Sequence, residues 1–192
     1  MYSNVFGRVK NPPLPDYPIL YVGEGFQPSR FLYTEVKRDG QMDLPKRRSP
    51  RIPNYDYSLP NYYFITICTH GKKCIFGFPG EQTRIGKIVE KHIRKIPEYY
   101  DTVSVDKYVV MPNHIHMILV LKGDESNPNV PLIIAQFKRG VTKEIHSMEP
   151  NMAVWQRSFH DHIIRNQTGY EKIWAYIENN PQKWEEDCFY CR

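Results

Sequence analysis

Val103-Ser104-Val105-Asp106-Lys107-Tyr108-Val109-Val110-Met111, Pro112-Asn113 and His114-Ile115-His116-Met117-Ile118-Leu119-Val120-Leu121 form one continuous run. Its two long parts are dense in β-branched and apolar residues and read as strands. Pro112-Asn113 supplies a tight connection, so the pair reads as a hairpin. In the second strand His114 and His116 flank Ile115. Side chains alternate between the faces of a strand, so both imidazoles project from one face and Ile115 enters the core from the other.

Working outward, Tyr63 to Thr69 is rich in aromatic and β-branched residues and reads as a strand. Ile85, Ile88, Val89, Ile93 and Ile96 recur at helical spacing and predict an amphipathic helix over about 81–98. Downstream, Gly123 to Pro128 is a polar loop, and Ile134, Phe137, Val141 and Ile145 define a second helix. Val154 to Arg165 reads as a strand. Tyr170, Ile173, Ile177 and Trp184 mark a last helix, interrupted near Pro181. The order is β-α-β-β-α-β followed by α. This predicts an α+β, ferredoxin-like (RRM-like) fold: a four-stranded antiparallel sheet with two helices on one face, plus a C-terminal helix.

Residues 1–60 differ from the regular part, 61–192. They hold Pro12, Pro13, Pro15, Pro18, Pro28, Pro45, Pro50, Pro53 and Pro60, nine of the 16 prolines. Each proline removes a backbone donor and fixes φ, so no helical period survives. The segment reads as a proline-rich, basic N-terminal arm, with Lys46-Arg47-Arg48 and Arg51 at its end. It is either a solvated arm or one that touches a nucleic-acid backbone.

The whole chain has 192 residues, 41% hydrophobic and 24% charged, enough for one domain with a proper core. The longest apolar run, Met117 to Leu121, falls far below the about 18 residues of a membrane span. Met1-Tyr2-Ser3-Asn4 lacks the start of a signal peptide. Four cysteines do not make a disulfide scaffold, and free thiols with a cytoplasmic location are expected. A net charge of +5 and 14% aromatic residues suit a partner with a phosphate backbone and stackable bases.

Two imidazoles side by side on a stiff strand form half of a metal site. On spacing alone they read first as a pair of surface histidines on an open sheet face. Tyr176 and Asn180 stand i and i+4, on one face of the last helix. A phenol and an amide oxygen are thus presented together, although Asn180 can also simply end the helix before Pro181. His160-Asp161-His162 repeats the spacing with an acid in the middle, which suits packing or DNA contact better than the main metal site.

MPNHIHMILV (111–120) and WQRSFHDHIIRN (155–166), followed by YEKIWAYIENNP (170–181), together resemble the single-tyrosine HUH transposases of the REP-associated tyrosine transposase type. The resemblance runs from about Arg51 to Trp184. It implies His114 and His116 as metal ligands, Tyr176 as the nucleophile, and Asn180, where relatives often carry glutamine, as a third ligand. The metal would be Mg²⁺ or Mn²⁺. Lys138, Arg139, Trp155, Gln156 and Arg165 are the expected DNA-binding residues. The implied function is cleavage and rejoining of single-stranded or hairpin DNA through a 5′-phosphotyrosine, bound to the nucleoid and not to a membrane. Whether one chain or a homodimer completes the site is open. A non-catalytic nucleic-acid-binding regulator on the same fold is the alternative, and a water-using metal phosphodiesterase is a third.

Overall fold

The computed structural model describes residues 51–123 and 127–190. Of the proline-rich arm, only 51–60 falls within them, and it runs in turns without helix or strand. The basic cluster at 46–48 and the tip of the 123–128 loop lie outside the described residues.

The elements follow in order. β1 is Asn61–Cys68, β2 Gly77–Phe78, β3 Glu81–Gln82, α1 Arg84–Arg94 and α2 Ile96–Tyr99. Next come β4 Val103–Met111, β5 His114–Leu121, α3 Val130–His146, β6 His160–Ile164 and α4 Gln167–Asn179. A 3-10 segment, Asn180–Glu186, continues from α4. The main sheet has the order β4-β5-β1-β6 and every pairing is antiparallel, which is the ferredoxin-like arrangement.

Strand alternation divides the core into two. Ile65, Ile67, Ile115, Met117 and Leu119 face α1 and α3, which bring Val89, Ile93, Ile134, Phe137 and Val141. Phe64, Ile118 and Val120 face the other way, against Tyr170, Ile173 and Ile177 of α4 and Trp184 and Phe189 beyond it. With helices on both faces, every residue of β5 is buried, as expected for a strand covered on both sides. The Tyr170 hydroxyl donates to Asp106 Oδ2 at 2.5 Å and fastens α4 to β4. Asp106 is the extra residue of a bulge between Val105 and Lys107.

Three expectations need correcting. The helix over 81–98 is two helices, with Pro97 in the first turn of the second, and its first two residues are instead β3, paired with β2. The strand over 154–165 pairs regularly only from His160, with one isolated bridge from Trp155 to Thr69. Cys74 is disulfide-bonded, whereas Cys68 and Cys188 are free. No helix among the described residues is long and apolar enough to cross a membrane.

One close approach holds the loop beneath the β4–β5 turn. Phe76 donates its N–H to Pro112 O at 3.0 Å, and its own carbonyl accepts from Thr83 at 2.9 Å. A Cβ on Gly86 would land on that Phe76 carbonyl. Gly86→Ala therefore sets a helix-propensity gain of about 1 kcal/mol against a backbone clash of about 1–3 kcal/mol. The clash is expected to win. Urea denaturation should show a lower midpoint for Gly86→Ala than for wild type.

Candidate active site

β5 brings His114 and His116 to one face, with ring centroids 4.5 Å apart, and sends Ile115 into the opposite core. Both imidazoles are fully buried. They do not lie on an open sheet: α4 and the C-terminal segment cover them, with Phe189 4.6 Å from the His114 ring and Trp184 6.0 Å from it.

Each ring has a partner that orients it. Asn113 donates through Nδ2 to Lys72 O at 3.1 Å and to Phe189 O at 2.7 Å. Those two carbonyls fix the amide orientation, so its Oδ1 faces His114 Nδ1 at 2.9 Å and accepts from it. His114 thus carries its proton on Nδ1, and Nε2 is left as a buried lone pair with no hydrogen-bond partner. His116 Nδ1 lies 2.8 Å from Thr66 Oγ1, across the β1–β5 register that pairs Thr66 with His116. Phe64 stacks on the His116 ring at 5.1 Å.

α4 supplies the phenol, and the first residue of the 3-10 segment that continues it supplies the amide. Tyr176 Oη lies 3.3 Å from His116 Nε2 in the same chain. It also lies 3.5 Å from Asp187 Oδ2. Asn180, one turn on, is buried; its Nδ2 donates to Asp187 Oδ2 at 3.0 Å and its Oδ1 has no partner. One ligand atom each from His114, His116 and Asp187 lies within 4.8 Å of the others. Lone pairs with no hydrogen facing them are rare in a satisfied core. Imidazole nitrogens, a carboxylate and an amide oxygen together fit a divalent cation. A cavity of about 480 Å³ between α4 and the C-terminal segment reaches Tyr176, Asn180 and Asp187.

Burial sets the protonation states. It pushes the His114 pKa down to about 3, with the Lys72 charge adding to the effect. His116 is lowered as well, first by burial and then by His114. The Tyr176 phenol is held well above its usual range, by burial first and the Asp187 charge second.

The other candidates are dispersed. Lys138 is partly buried and donates to Gln156 O at 2.5 Å and Ser158 O at 3.3 Å, and burial lowers its pKa to about 8. It holds the loop that carries Trp155 and Gln156. Gln156 N–H donates to Cys68 O at 3.0 Å, at the end of β1 that pairs with His114. Trp155 packs against Phe76 and Phe137 in the core, at 5.5 and 5.8 Å. Arg139 and Arg165 are exposed, Arg139 on the α3 side of the sheet, away from Tyr176. His160 and His162 sit exposed on the edge strand and do not join the cluster. Asp161 between them meets Arg51 at 3.9 Å.

Sequence reasoning missed Asp187, Asn113 and Thr66. Asn113 is adjacent to His114 but reads as a turn residue, and Thr66 and Asp187 come near only through the register and the C-terminal segment.

The neutral imidazoles generate a pH dependence. Below about pH 6.5 an unfolded imidazole binds a proton, whereas folded His114 binds one only near pH 3. Unfolding then takes up protons, so stability falls as pH drops through that window, by about 1.4 kcal/mol per unit for one group. Urea midpoints measured from pH 7.5 down to 4.5 should decline, and the decline should be shallower in His114→Gln.

A family model described as "Transposase IS200 like" matches residues 59–180. A protein of Haemophilus influenzae with no assigned function is 35% identical over 167 residues, spanning 75% of this chain and 93% of that one. A second protein of the same organism, named as a candidate REP-associated tyrosine transposase, is 28% identical over 92 residues, spanning 44% of this chain and 51% of that one. Among solved structures, a REP-associated tyrosine transposase bound to a REP hairpin superposes with a TM-score of 0.55 at 22% identity, covering 69% of this chain and 73% of that chain.

Proposed function

The chain belongs to the IS200-like transposase family, and on that premise we propose that it cleaves and rejoins single-stranded DNA with Tyr176 as the nucleophile. The observation that carries this reading is the Tyr176 hydroxyl 3.3 Å from His116 Nε2, beside a second imidazole whose Nε2 is an unpartnered lone pair. His114, His116 and Asn180 would hold a divalent ion, Mg²⁺ or Mn²⁺. Once bound, that ion supplies Lewis acidity at the scissile phosphate.

The side chains then divide the work. Burial keeps both imidazoles neutral at pH 7, so neither ring need lose a proton before offering its lone pair. Asn113 fixes the His114 tautomer, and Thr66 orients His116. Phe64, edge-on to Tyr176 at 6.1 Å and stacked on His116, holds the two rings together. The buried phenol is protonated at rest and a poor nucleophile until a positive charge beside it opposes its raised pKa. In the reaction its oxygen bonds to phosphorus and the P–O3′ bond breaks. The proton given up by the phenol is regained by the departing 3′-oxygen. The 5′-phosphotyrosine conserves the energy of the broken bond, so a second 3′-hydroxyl can reverse the step.

With both histidines fully buried, a phosphate reaches them only after the covering segment, Trp184 to Phe189, has moved. The substrate we propose is single-stranded or hairpin DNA, in keeping with the hairpin held by the structural neighbour. The exposed Arg139 and Arg165 are proposed phosphate contacts, with Lys138 acting through the Trp155–Gln156 loop.

The test is incubation with single-stranded hairpin DNA and Mg²⁺ or Mn²⁺, followed by a denaturing gel. Wild type should yield a protein–DNA adduct that survives denaturation. Tyr176→Phe should form none while binding DNA within about twofold of wild type, since only a hydroxyl is lost. His114→Ala should also fail, but with partial recovery at high Mn²⁺, which nothing should restore in Tyr176→Phe. Nicking by Tyr176→Phe at the wild-type rate would overturn the assignment.

A further inference from the structure

We propose that Asp187 supplies the charged donor of the cation site, and that Asn180 aims its carboxylate. The proposal rests on the cation reading of the two histidines given above. Asp187 lies just beyond the 3-10 segment that follows α4. Even so, one of its oxygens stands with ring nitrogens of His114 and His116, each within 4.8 Å of the others. Among the described residues this is the only such group of three or more His, Cys, Asp or Glu side chains. The second observation is independent of the acid: His114 Nε2 is fully buried in the same cluster and has no hydrogen-bond partner.

The carboxylate is held from two sides. Oδ1 accepts the Phe189 N–H at 2.7 Å, and Oδ2 accepts Asn180 Nδ2 at 3.0 Å. Tyr176 Oη stands 3.5 Å from Oδ2, a long contact, so a carboxylate that accepts about four hydrogen bonds keeps room for a cation. The other donors are neutral. A divalent ion held by two imidazoles and an amide alone would keep its whole charge in a pocket sealed by Trp184 and Phe189. Burying uncompensated charge is unfavourable, and one carboxylate offsets half of it. Asn180 offers its Oδ1 to the same cluster and, through Nδ2, the hydrogen bond that positions Asp187. Because Asp187 belongs to the segment that must move for DNA to enter, a scissile phosphate would replace one negative donor with another. The charge balance at the ion is then kept through the exchange.

The experiment titrates DNA-free, full-length protein with Mn²⁺. Calorimetry gives the affinity, and the electron paramagnetic resonance signal of free Mn²⁺ gives the stoichiometry. Wild type should bind one ion, and His114→Ala should bind none at the Mn²⁺ concentrations that saturate wild type. Asp187→Asn, which keeps shape and removes charge, should weaken binding at least tenfold. Asp187→Ala should do the same, and Asn180→Ala should weaken it less than Asp187→Asn does. Circular dichroism establishes that each variant is folded. If His114→Ala loses the ion while both Asp187 variants bind it as wild type does, the role of the carboxylate is overturned and the histidine site stands. A wild type that takes up no Mn²⁺ overturns the cation reading itself, and this proposal with it.

Discussion

Two uncharged imidazoles sealed between a sheet and a helix need a partner at each ring nitrogen, and much of the architecture around β5 answers that need. The β1–β5 register puts Thr66 opposite His116. The turn before β5 puts Asn113 against His114. α4 crosses the same face at the height that brings Tyr176 to His116. One ring nitrogen is left over, His114 Nε2, and the site is organised around it. The chemistry proposed for the protein uses the atom for which the fold provides no hydrogen bond.

The fold was legible because its signals are local. β4 and β5 have the bounds that composition and alternation predict, and both helices of the α1/α3 layer follow from their apolar spacing. Legibility failed where local pattern competes with something else. Pro97 permits a new first turn and ends a period that reads as continuous. Arg157 and Ser158 interrupt the run before β6, where the Lys138 ammonium, and not a neighbouring strand, takes the loop carbonyls. Within the site, His114, His116, Tyr176 and Asn180 are marked by spacing within one strand or one helix. Asp187 has no such mark: it sits past a proline in a segment without period, and only the packing of Trp184 and Phe189 brings it under α4. Lys138 shows a different limit. A lysine on an amphipathic helix reads as a surface charge, but this one is spent on two backbone carbonyls.

Charge and burial are arranged differently on the two faces of the sheet. The α1/α3 face carries exposed pairs such as Lys91 with Glu144 and Arg94 with Glu90, at 2.8 and 2.5 Å. Such pairs are worth little to stability. The α4 face carries such a pair too, Lys107 with Glu178, but keeps the two histidines inside and neutral. An ionic-strength change should therefore act on these exposed pairs and on any bound DNA, and leave the histidine cluster nearly untouched.

Asn113 joins these two scales. Its one amide group holds the His114 ring and, through Nδ2, the carbonyl of Phe189. When the C-terminal segment departs, that bond is broken and the apolar contacts of Trp184 and Phe189 go with it. On the proposed function the covered form is the resting majority, and only a fraction of molecules is open at any instant. The apparent dissociation constant for a strand at Tyr176 equals the intrinsic one divided by that fraction. A preference of about 3 kcal/mol for the covered form multiplies it by about 150. The phosphate contacts proposed for exposed arginines such as Arg165 would escape that factor. On the proposed function, such a chain would remain on its DNA for many encounters and commit to chemistry in few of them, with the ratio set by Trp184 to Phe189.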